Sequence, residues 1–312
     1  MRSRTIDRSD SIALILAAAC WGVGTVVSKR ALDDIAPVVL LPLQLAVSLV
    51  VLSVLLRRQD VPLRADGPPL LARLGILNPG IAYALTLLGL TTISASLSVL
   101  IGALEPIMIL VLAGVFLHER ITAALAALSF VALGGLVLVV NDPSTGGQAI
   151  GVALALAGVA CCAVYTVATR RWLPEARETG QVVLAQQAHG LGFAGLVLIG
   201  VVVLAGTISP MSLTPTGLLA AAVSGALYYA GAYWFYLAAL RNVPASVASV
   251  SFYLIPIVGI AASAAFLGER LAPIQWIGVG LVLVAVAAIY SLRIRETGAP
   301  EASMSTAVPT DR

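Results

Sequence analysis

The sequence predicts an all-α membrane protein whose ten transmembrane helices form a 5+5 inverted repeat. The first reason is composition: 60% of the 312 residues are apolar and only 11% are charged, whereas soluble proteins carry about 25% charged residues. The mean hydropathy is accordingly +1.01. The second reason is that the apolar residues form continuous runs of about 20, which span a bilayer core as helices. These runs do not alternate as β-barrel strands do. The third reason is an internal repeat.

Ten apolar runs mark the predicted spans, and short loops rich in Pro, Gly, Asn and Asp separate them. The first run follows an arginine-rich stretch, as in a signal peptide. It continues past Cys20 to Val27, however, which favours a permanent transmembrane helix over a cleaved leader. The predicted spans are residues 12–28, 36–56, 70–89, 93–117, 122–140, 148–169, 181–205, 213–240, 245–267 and 273–291.

One long segment occurs twice at a spacing of 150 residues. Residues 95–120 read ASLSVLIGALEPIMILVLAGVFLHER, and residues 245–270 read ASVASVSFYLIPIVGIAASAAFLGER. Both copies have a proline in the middle of an apolar run, Pro106 and Pro256, and both end in Glu-Arg. A common register of this kind indicates two related halves, which is a common plan of secondary transporters.

The Lys and Arg residues predict the orientation. With a cytoplasmic N-terminus, fifteen of the eighteen basic residues fall inside, and only Lys29, Arg30 and Arg270 fall outside. Each half has five spans, an odd number, so the halves cross the membrane in opposite senses and both termini are cytoplasmic. The predicted units are residues 1–141, residues 147–292, and a disordered cytoplasmic tail at 293–312. Lys29 is expected to anchor at the interface by snorkelling.

These features resemble the drug/metabolite transporter superfamily, and most closely its EamA-type transporter family. The resemblance covers about residues 11–291 and rests on the inverted repeat, on Trp21-Gly22 early in the first span, and on the prolines followed by Glu-Arg. It implies export or exchange of small metabolites, often amino acids or their derivatives. It also implies a central cavity lined by the first, third, fourth, sixth, eighth and ninth spans, with the fifth and tenth at the periphery.

Glu105 is the sharpest single feature of the sequence, because it is an acid near the middle of the fourth span. A charge at that depth costs at least about 2.5 kcal/mol, so such residues usually face the interior of the helix bundle. Glu105 could bind a proton or a substrate amine, or it could join helices through hydrogen bonds. The second half has Ile255 at the equivalent position, so this site is asymmetric.

Aromatic residues form the second candidate cluster. Tyr229, Tyr233 and Tyr236 share one face of the eighth span by their spacing, and Tyr83 matches Tyr233 in the third span. Hydroxylated aromatics suit an amphipathic substrate, and cation–π contacts suit an amine; interfacial anchoring and helix packing are the alternatives. The predicted substrate-binding residues are Trp21, Tyr83, Glu105, Tyr165, Tyr229, Tyr233 and Tyr253.

Other polar and helix-breaking residues lie at membrane depth. Gln44, Asn78, Gln186 and Gln187 need hydrogen-bond partners there, and His189 could relay protons with Glu105 or be structural. Helix kinks are predicted at Pro79, Pro106 and Pro256. For Glu119-Arg120 and Glu269-Arg270, capping and loop pairing are favoured over a gate.

The leading hypothesis is a multi-pass transporter in the cell membrane that moves a small organic molecule by alternating access. The family resemblance alone implies outward movement. No cofactor, metal site or nucleic-acid partner is expected. The sequence holds no HExxH motif, which argues against a zinc protease, and no Walker A motif, which argues against an internal ATP engine. The alternatives are a membrane-embedded enzyme, for which no suitably spaced catalytic residues occur, and a lipid-binding scaffold. The partners expected are the substrate and the lipid bilayer, and a homodimer stays open.

Overall fold

The computed structural model describes residues 8–64, 67–116, 123–140, 148–173, 176, 178–205, 211–240, 252 and 254–298. All regular secondary structure in these ranges is helical. The helices are α1 (Arg8–Leu32), α2 (Pro37–Arg58), α3 (Pro69–Gly75), α4 (Ala82–Leu90), α5 (Ala95–Gly102), α6 (Glu105–Phe116), α7 (Ala123–Val140), α8 (Gln148–Trp172), α9 (Thr179–Ala205), α10 (Pro215–Ser224), α11 (Ala232–Leu240), α12 (Leu254–Phe266) and α13 (Pro273–Gly298).

Six helical stretches of the described chain are long and apolar enough to cross a bilayer. Shorter apolar helices begin at Ala95, Leu254 and Pro273. The protein is therefore an all-helical, multi-pass membrane protein, as predicted. The six long stretches are Ser9–Leu32, Pro37–Arg58, Pro69–Leu90, Ala149–Thr169, Thr179–Ala205 and Pro215–Ala239.

The last helix continues beyond the predicted last span. Helix α13 runs to Gly298 and so enters the segment predicted as a disordered tail. Residues 291–297 include Leu, Arg and Glu, which favour helices, and this stretch contains no Gly or Pro. Residues 299–312 lie outside the described part of the chain.

Two helices are interrupted at matching positions. A π-helical segment, Ile76–Ile81, joins α3 to α4, and Asn78 within it has extended backbone angles (φ −145°, ψ 116°). A second π-helical segment, Gly225–Gly231, joins α10 to α11 at a spacing of about 150 residues. Proline explains the first break, because Pro79 donates no backbone hydrogen bond. The second contains no proline, and the sequence analysis did not predict it.

The other two prolines at which kinks were predicted, Pro106 and Pro256, lie at helix starts rather than within helices. Helix α5 ends at Gly102, and α6 begins at Glu105 with Pro106 in its first turn. Pro256 likewise lies in the first turn of α12. A proline there costs no helical hydrogen bond, because the first turn has no internal acceptor for its N–H. The chain thus changes helix before Pro106 instead of bending a continuous helix at it.

Contacts between the two halves are exchanged reciprocally. Helix α1 packs on α11 and α12, and its counterpart α8 packs on α4, α5 and α6. Helix α2 contacts the π-helical segment of the second half, and α9 contacts that of the first. The last helices of the two halves, α7 and α13, pack on each other. Paired contacts of this kind are typical of two units related by a two-fold axis.

Small residues let α8 and α4 approach closely. A Cβ placed on Gly158 would lie 2.7 Å from the carbonyl oxygen of Ala82, and one on Gly89 would lie 2.7 Å from that of Gly151. Backbones can meet at this distance only where both helices lack bulky side chains. The close approach fixes α8, which carries Tyr165, against α4, which carries Tyr83.

Candidate functional site

A cavity of about 90 Å³ lies between the two halves of the chain. Its lining comes from the first, third, fourth, sixth, eighth and ninth of the predicted spans, the same six that the family resemblance implies. The volume is well below the roughly 300–1,000 Å³ of pockets for drug-sized ligands. The lining residues are Trp21, Thr25, Asn78, Tyr83, Thr86, Ser98, Val99, Gly102, Glu105, Val159, Cys162, Tyr165, Thr166, Tyr228, Tyr233, Tyr236, Phe252 and Ile255.

Glu105 is the only acid among these lining residues, and no Lys, Arg or His lies among them. It is the first residue of α6, directly after the break that follows α5. Thr166 Oγ1 donates a hydrogen bond to Glu105 Oε1 at 3.1 Å. A carboxylate in this setting has one protein donor and an open side toward the cavity. The site can therefore attract a proton or a cationic group.

A chain of polar contacts crosses the cavity wall from one half to the other. The hydroxyls of Tyr83 and Tyr233 lie 2.7 Å apart, and Tyr233 donates to Asn78 Oδ1 at 2.7 Å. Asn78 Nδ2 in turn contacts Cys162 Sγ at 3.4 Å. Tyr83 and Tyr233 are equivalent residues of the two halves, so their contact lies where the halves meet. The non-helical backbone at Asn78 turns its amide into this network.

Aromatic rings form another part of the lining. The Trp21 ring contacts the edges of Tyr233, Tyr236 and Phe252, each at a centroid distance of 5.5 Å. Ring edges directed at ring faces are the favoured arrangement of aromatic pairs. The indole Nε1 of Trp21 is buried and has no hydrogen-bond partner among the described residues. It is consequently a free donor on a residue that lines the cavity.

Tyr165 is held from behind by an amide. Its hydroxyl donates to Gln186 Oε1 at 2.7 Å, and Gln186 Nε2 donates to the carbonyl of Leu71 at 3.0 Å. Gln44 similarly donates to Ser28 and Ser224 at 2.9 and 2.7 Å. These contacts agree with the expectation that polar groups at membrane depth pair between helices.

The predicted site residues divide into three groups. Trp21, Tyr83, Glu105, Tyr165 and Tyr233 all line the cavity. Two do not: Tyr229 packs behind the lining at 5.1 Å from the Tyr83 ring, and His189 Nδ1 bonds to the carbonyl of Ala185 one turn earlier in its own helix, at 2.8 Å. Tyr253 lies outside the described residues, as does Glu119.

Sequence reasoning did not select several of the lining residues as substrate-binding. Asn78 was expected to need a partner but not to line the site, and Thr166 was not considered. Tyr236 was noted only for sharing a helical face with Tyr229 and Tyr233. A helical face drawn from Tyr165 at spacings of three to four residues reaches Cys162 and Val159, so periodicity could have identified that wall.

The described residues hold no group of three or more His, Cys, Asp or Glu that could bind a metal ion. The chemistry of the cavity is instead that of one carboxyl, several hydroxyls, one amide and aromatic faces. Several membrane-spanning helices around a small cavity with a few polar groups define a polytopic membrane protein.

The chain belongs to the EamA-like transporter family, whose sequence profile matches residues 9–141 and again residues 149–291. A relative from Archaeoglobus fulgidus, described as an uncharacterized transporter, is 27% identical over 288 residues, which are 88% of this chain and 96% of the relative. A protein of known crystal structure superposes with a TM-score of 0.65 at 17% identity, over 92% of this chain and 99% of its own. That likeness concerns the fold alone. The family predicted from the sequence is thus confirmed, and the protein is a membrane transporter.

Proposed function

We propose that the protein is a secondary transporter that carries small amine-bearing organic metabolites, such as amino acids or their derivatives, across the cell membrane by alternating access. The observation that carries this proposal is the placement of Glu105, a single acid without a basic neighbour among the lining residues. An acid in that position favours a cationic group over an anion, because an anion would meet uncompensated repulsion.

The remaining lining groups fit the same substrate class. Trp21, Tyr83 and Tyr165 offer aromatic surface for cation–π contact with an amine or for stacking with an apolar side chain. The unpaired Nε1–H of Trp21 supplies a donor that a substrate carboxylate or carbonyl would satisfy. The small volume favours a metabolite over a drug-sized molecule.

Alternating access is supported by the paired architecture. The matching π-helical segments and the exchanged helix contacts favour ten spans in a 5+5 inverted repeat, with halves at about 1–141 and 147–292. In such a repeat, each half can adopt the conformation of the other, which exposes a central site first to one side and then to the other. The basic residues favour cytoplasmic termini, and the family resemblance favours export.

Glu105 is also the proposed proton-coupling residue, with His189 the weaker candidate because it bonds to its own helix. Reconstituted protein should move amine substrates in proteoliposomes, and the flux should respond to a pH gradient. Glu105→Gln should abolish that response. The matched control is Glu178→Gln, since Glu178 is an exposed acid outside the cavity. Equal pH dependence in wild type and Glu105→Gln would refute the coupling.

The substrate class is tested with matched pairs of compounds. Each amino acid in a thermal-shift screen is accompanied by its analogue without the amine, and hits are then tested for flux. We expect wild type to bind the amine-bearing member of a pair at least tenfold more tightly than its deaminated analogue. The Glu105→Gln variant should bind the two members of the pair equally. Tighter binding of the deaminated member would contradict the assignment of Glu105 as the amine site.

A further inference from the structure

Two side chains of opposite charge hold the connection between α4 and α5. Lys29, near the end of α1, donates from Nζ to the carbonyl oxygens of Leu90 and Ile93 at 2.6 and 2.9 Å. The sequence predicted that Lys29 would anchor at the interface by snorkelling, and the structure adds acceptors for its ammonium group that the sequence did not indicate. These are free carbonyls at and just after the end of α4, where the helix dipole favours a cation.

Glu269 binds the other side of the same connection. Its Oε1 accepts from the backbone N–H of Ala95 at 2.8 Å, and its Oε2 accepts from the N–H and the hydroxyl of Ser96 at 3.0 and 2.7 Å. A carboxylate at the start of a helix satisfies free amides and complements the dipole. Glu269 belongs to the second half of the chain, whereas Ala95 and Ser96 belong to the first.

A tightly packed layer separates these contacts from the cavity. Val26, Ala95 and Ala262, from three different helices, form a buried cluster at this end. Deeper, a Cβ on Gly259 would lie 2.7 Å from Val99, and one on Gly22 would lie 2.9 Å from the backbone of Gly259. Helices α1, α5 and α12, which all contribute to the cavity lining, thus meet without space for a side chain between them.

We propose that Lys29 and Glu269, with the backbone groups of residues 90–96 that they bind, form a latch that keeps one face of the cavity closed. Opening that face requires Glu269 to leave the start of α5, because the contact joins the two halves that must move apart. The latch rests on the proposed alternating access. The basic-residue count predicts that the latch lies at the external face.

A latch works only if its hydrogen bonds can break without a large free-energy cost, and the partial exposure of its two charged side chains allows this. Glu269 and Lys29 are only partly buried, so water can replace their hydrogen bonds when the helices separate. The charge of Glu269 also attracts Lys29 across the connection, and Asp33 is the other acid near Lys29. Removal of either charge therefore leaves the other with weaker support and unpaired backbone groups. The closed state should lose population to the open one.

Cys162 provides a native reporter of access, because it lines the cavity beneath the latch. With Cys20 and Cys161 replaced by Ala, a membrane-impermeant methanethiosulfonate is applied to right-side-out and inside-out vesicles separately. We expect slow labelling of otherwise wild-type protein from the latch face. Glu269→Gln and Lys29→Met should each accelerate labelling from that face by about tenfold, and Ser96→Ala by a smaller factor. Labelling from the opposite face should not accelerate.

The matched control is Asp33→Asn, which removes an exposed acid near the same face. Asp33 forms its ion pair with Arg30 at 3.2 Å and acts on Lys29 more weakly than Glu269 does. The labelling rate of this variant should stay within twofold of the parent. Equal labelling rates of Glu269→Gln and Asp33→Asn from the latch face would refute the latch. Labelling of the parent protein from that face at the rate of unfolded protein would also refute it. Ser96→Ala keeps both charges, so it tests the latch even if a charge variant fails to fold. Labelling needs no substrate, so absence of amine transport would refute the proposed function and leave this result standing.

Discussion

Substitution of two glycines by alanine should change stability in opposite directions. Gly158 of α8 faces α4, and a Cβ there would lie 2.7 Å from the carbonyl oxygen of Ala82, whereas ordinary contacts begin near 3.4 Å. The Thr86 hydroxyl lies nearer still, and it donates a hydrogen bond to that same carbonyl. The carbonyl belongs to the backbone, so the two helices must separate by at least roughly 0.7 Å, the difference between these values. Gly192 of α9 has no atom within 4 Å of the corresponding position.

The magnitudes follow from these surroundings. Overpacking against a rigid neighbour costs about 1–3 kcal/mol, and replacing a helical glycine by alanine gains about 0.5–1 kcal/mol. Gly158→Ala should therefore destabilise the protein by roughly 1 kcal/mol net, the difference between the middles of these two ranges. Gly192→Ala should stabilise it by about 0.5–1 kcal/mol, since only the helix-propensity gain applies.

Melting of the purified protein in one detergent measures both variants side by side. Gly158→Ala should melt below wild type and Gly192→Ala above it. The two variants add the same methyl group to a helix, so differences in detergent binding or expression cancel. A Gly158→Ala protein that melts at or above wild type would show that α4 and α8 do not pack as closely as described.

Three further outcomes are expected. Tyr233→Phe should lower stability by about 1–3 kcal/mol, measured by melting, because Asn78 Oδ1 loses the donor at 2.7 Å; an unchanged melting temperature would argue against the network. Gln44→Leu should lower stability by about 0.6–2 kcal/mol, because the hydrogen bonds from Gln44 to serines on α1 and α10 are lost. An unchanged melting temperature would contradict this. Burial raises the pKa of the Glu269 carboxyl, but the hydroxyls of Ser263 and Ser96 and the α5 amides outweigh it and hold that pKa below its usual 4.5. The stabilisation by Glu269 should thus be constant above about pH 4.5 and fade as the pH falls through the lower folded value, so a melting difference between wild type and Glu269→Gln that persists at low pH would contradict this.

Features carried by single unusual residues could be predicted from the sequence. Glu105 was conspicuous because an acid within an apolar run is costly, and the structure places it in the cavity lining. Tyr83 and Tyr233 were paired by the repeat, and their hydroxyls are in contact. These residues meet in the structure because burial in a bilayer leaves few places for a polar side chain, and their role in substrate binding stays a prediction.

Features that depend on geometry between distant segments could not be predicted in this way. The interruption of the eighth span at Gly225–Gly231 has no proline to mark it. The acceptors of Lys29 could not be recognised, because the two carbonyls lie 61 and 64 residues further along the chain. The sequence therefore suggested an interfacial anchor. Backbone acceptors of this kind leave no trace in residue identity, since every residue carries a carbonyl.

The two halves share a frame but differ in chemistry at its centre. Glu105 and Ile255 occupy equivalent positions, each one residue before the first-turn proline of its helix, and both line the cavity. A substrate amine held by Glu105 has no equivalent partner on the second half, so it would remain with α6 while α12 moves past it. The symmetric frame would then supply two accessible states of similar energy, and the single acid would keep the substrate on one half throughout the exchange. Binding and gating are accordingly divided in this proposal: the first half provides the acid that binds, and the second half provides Glu269, which must release the first half before the cavity can open.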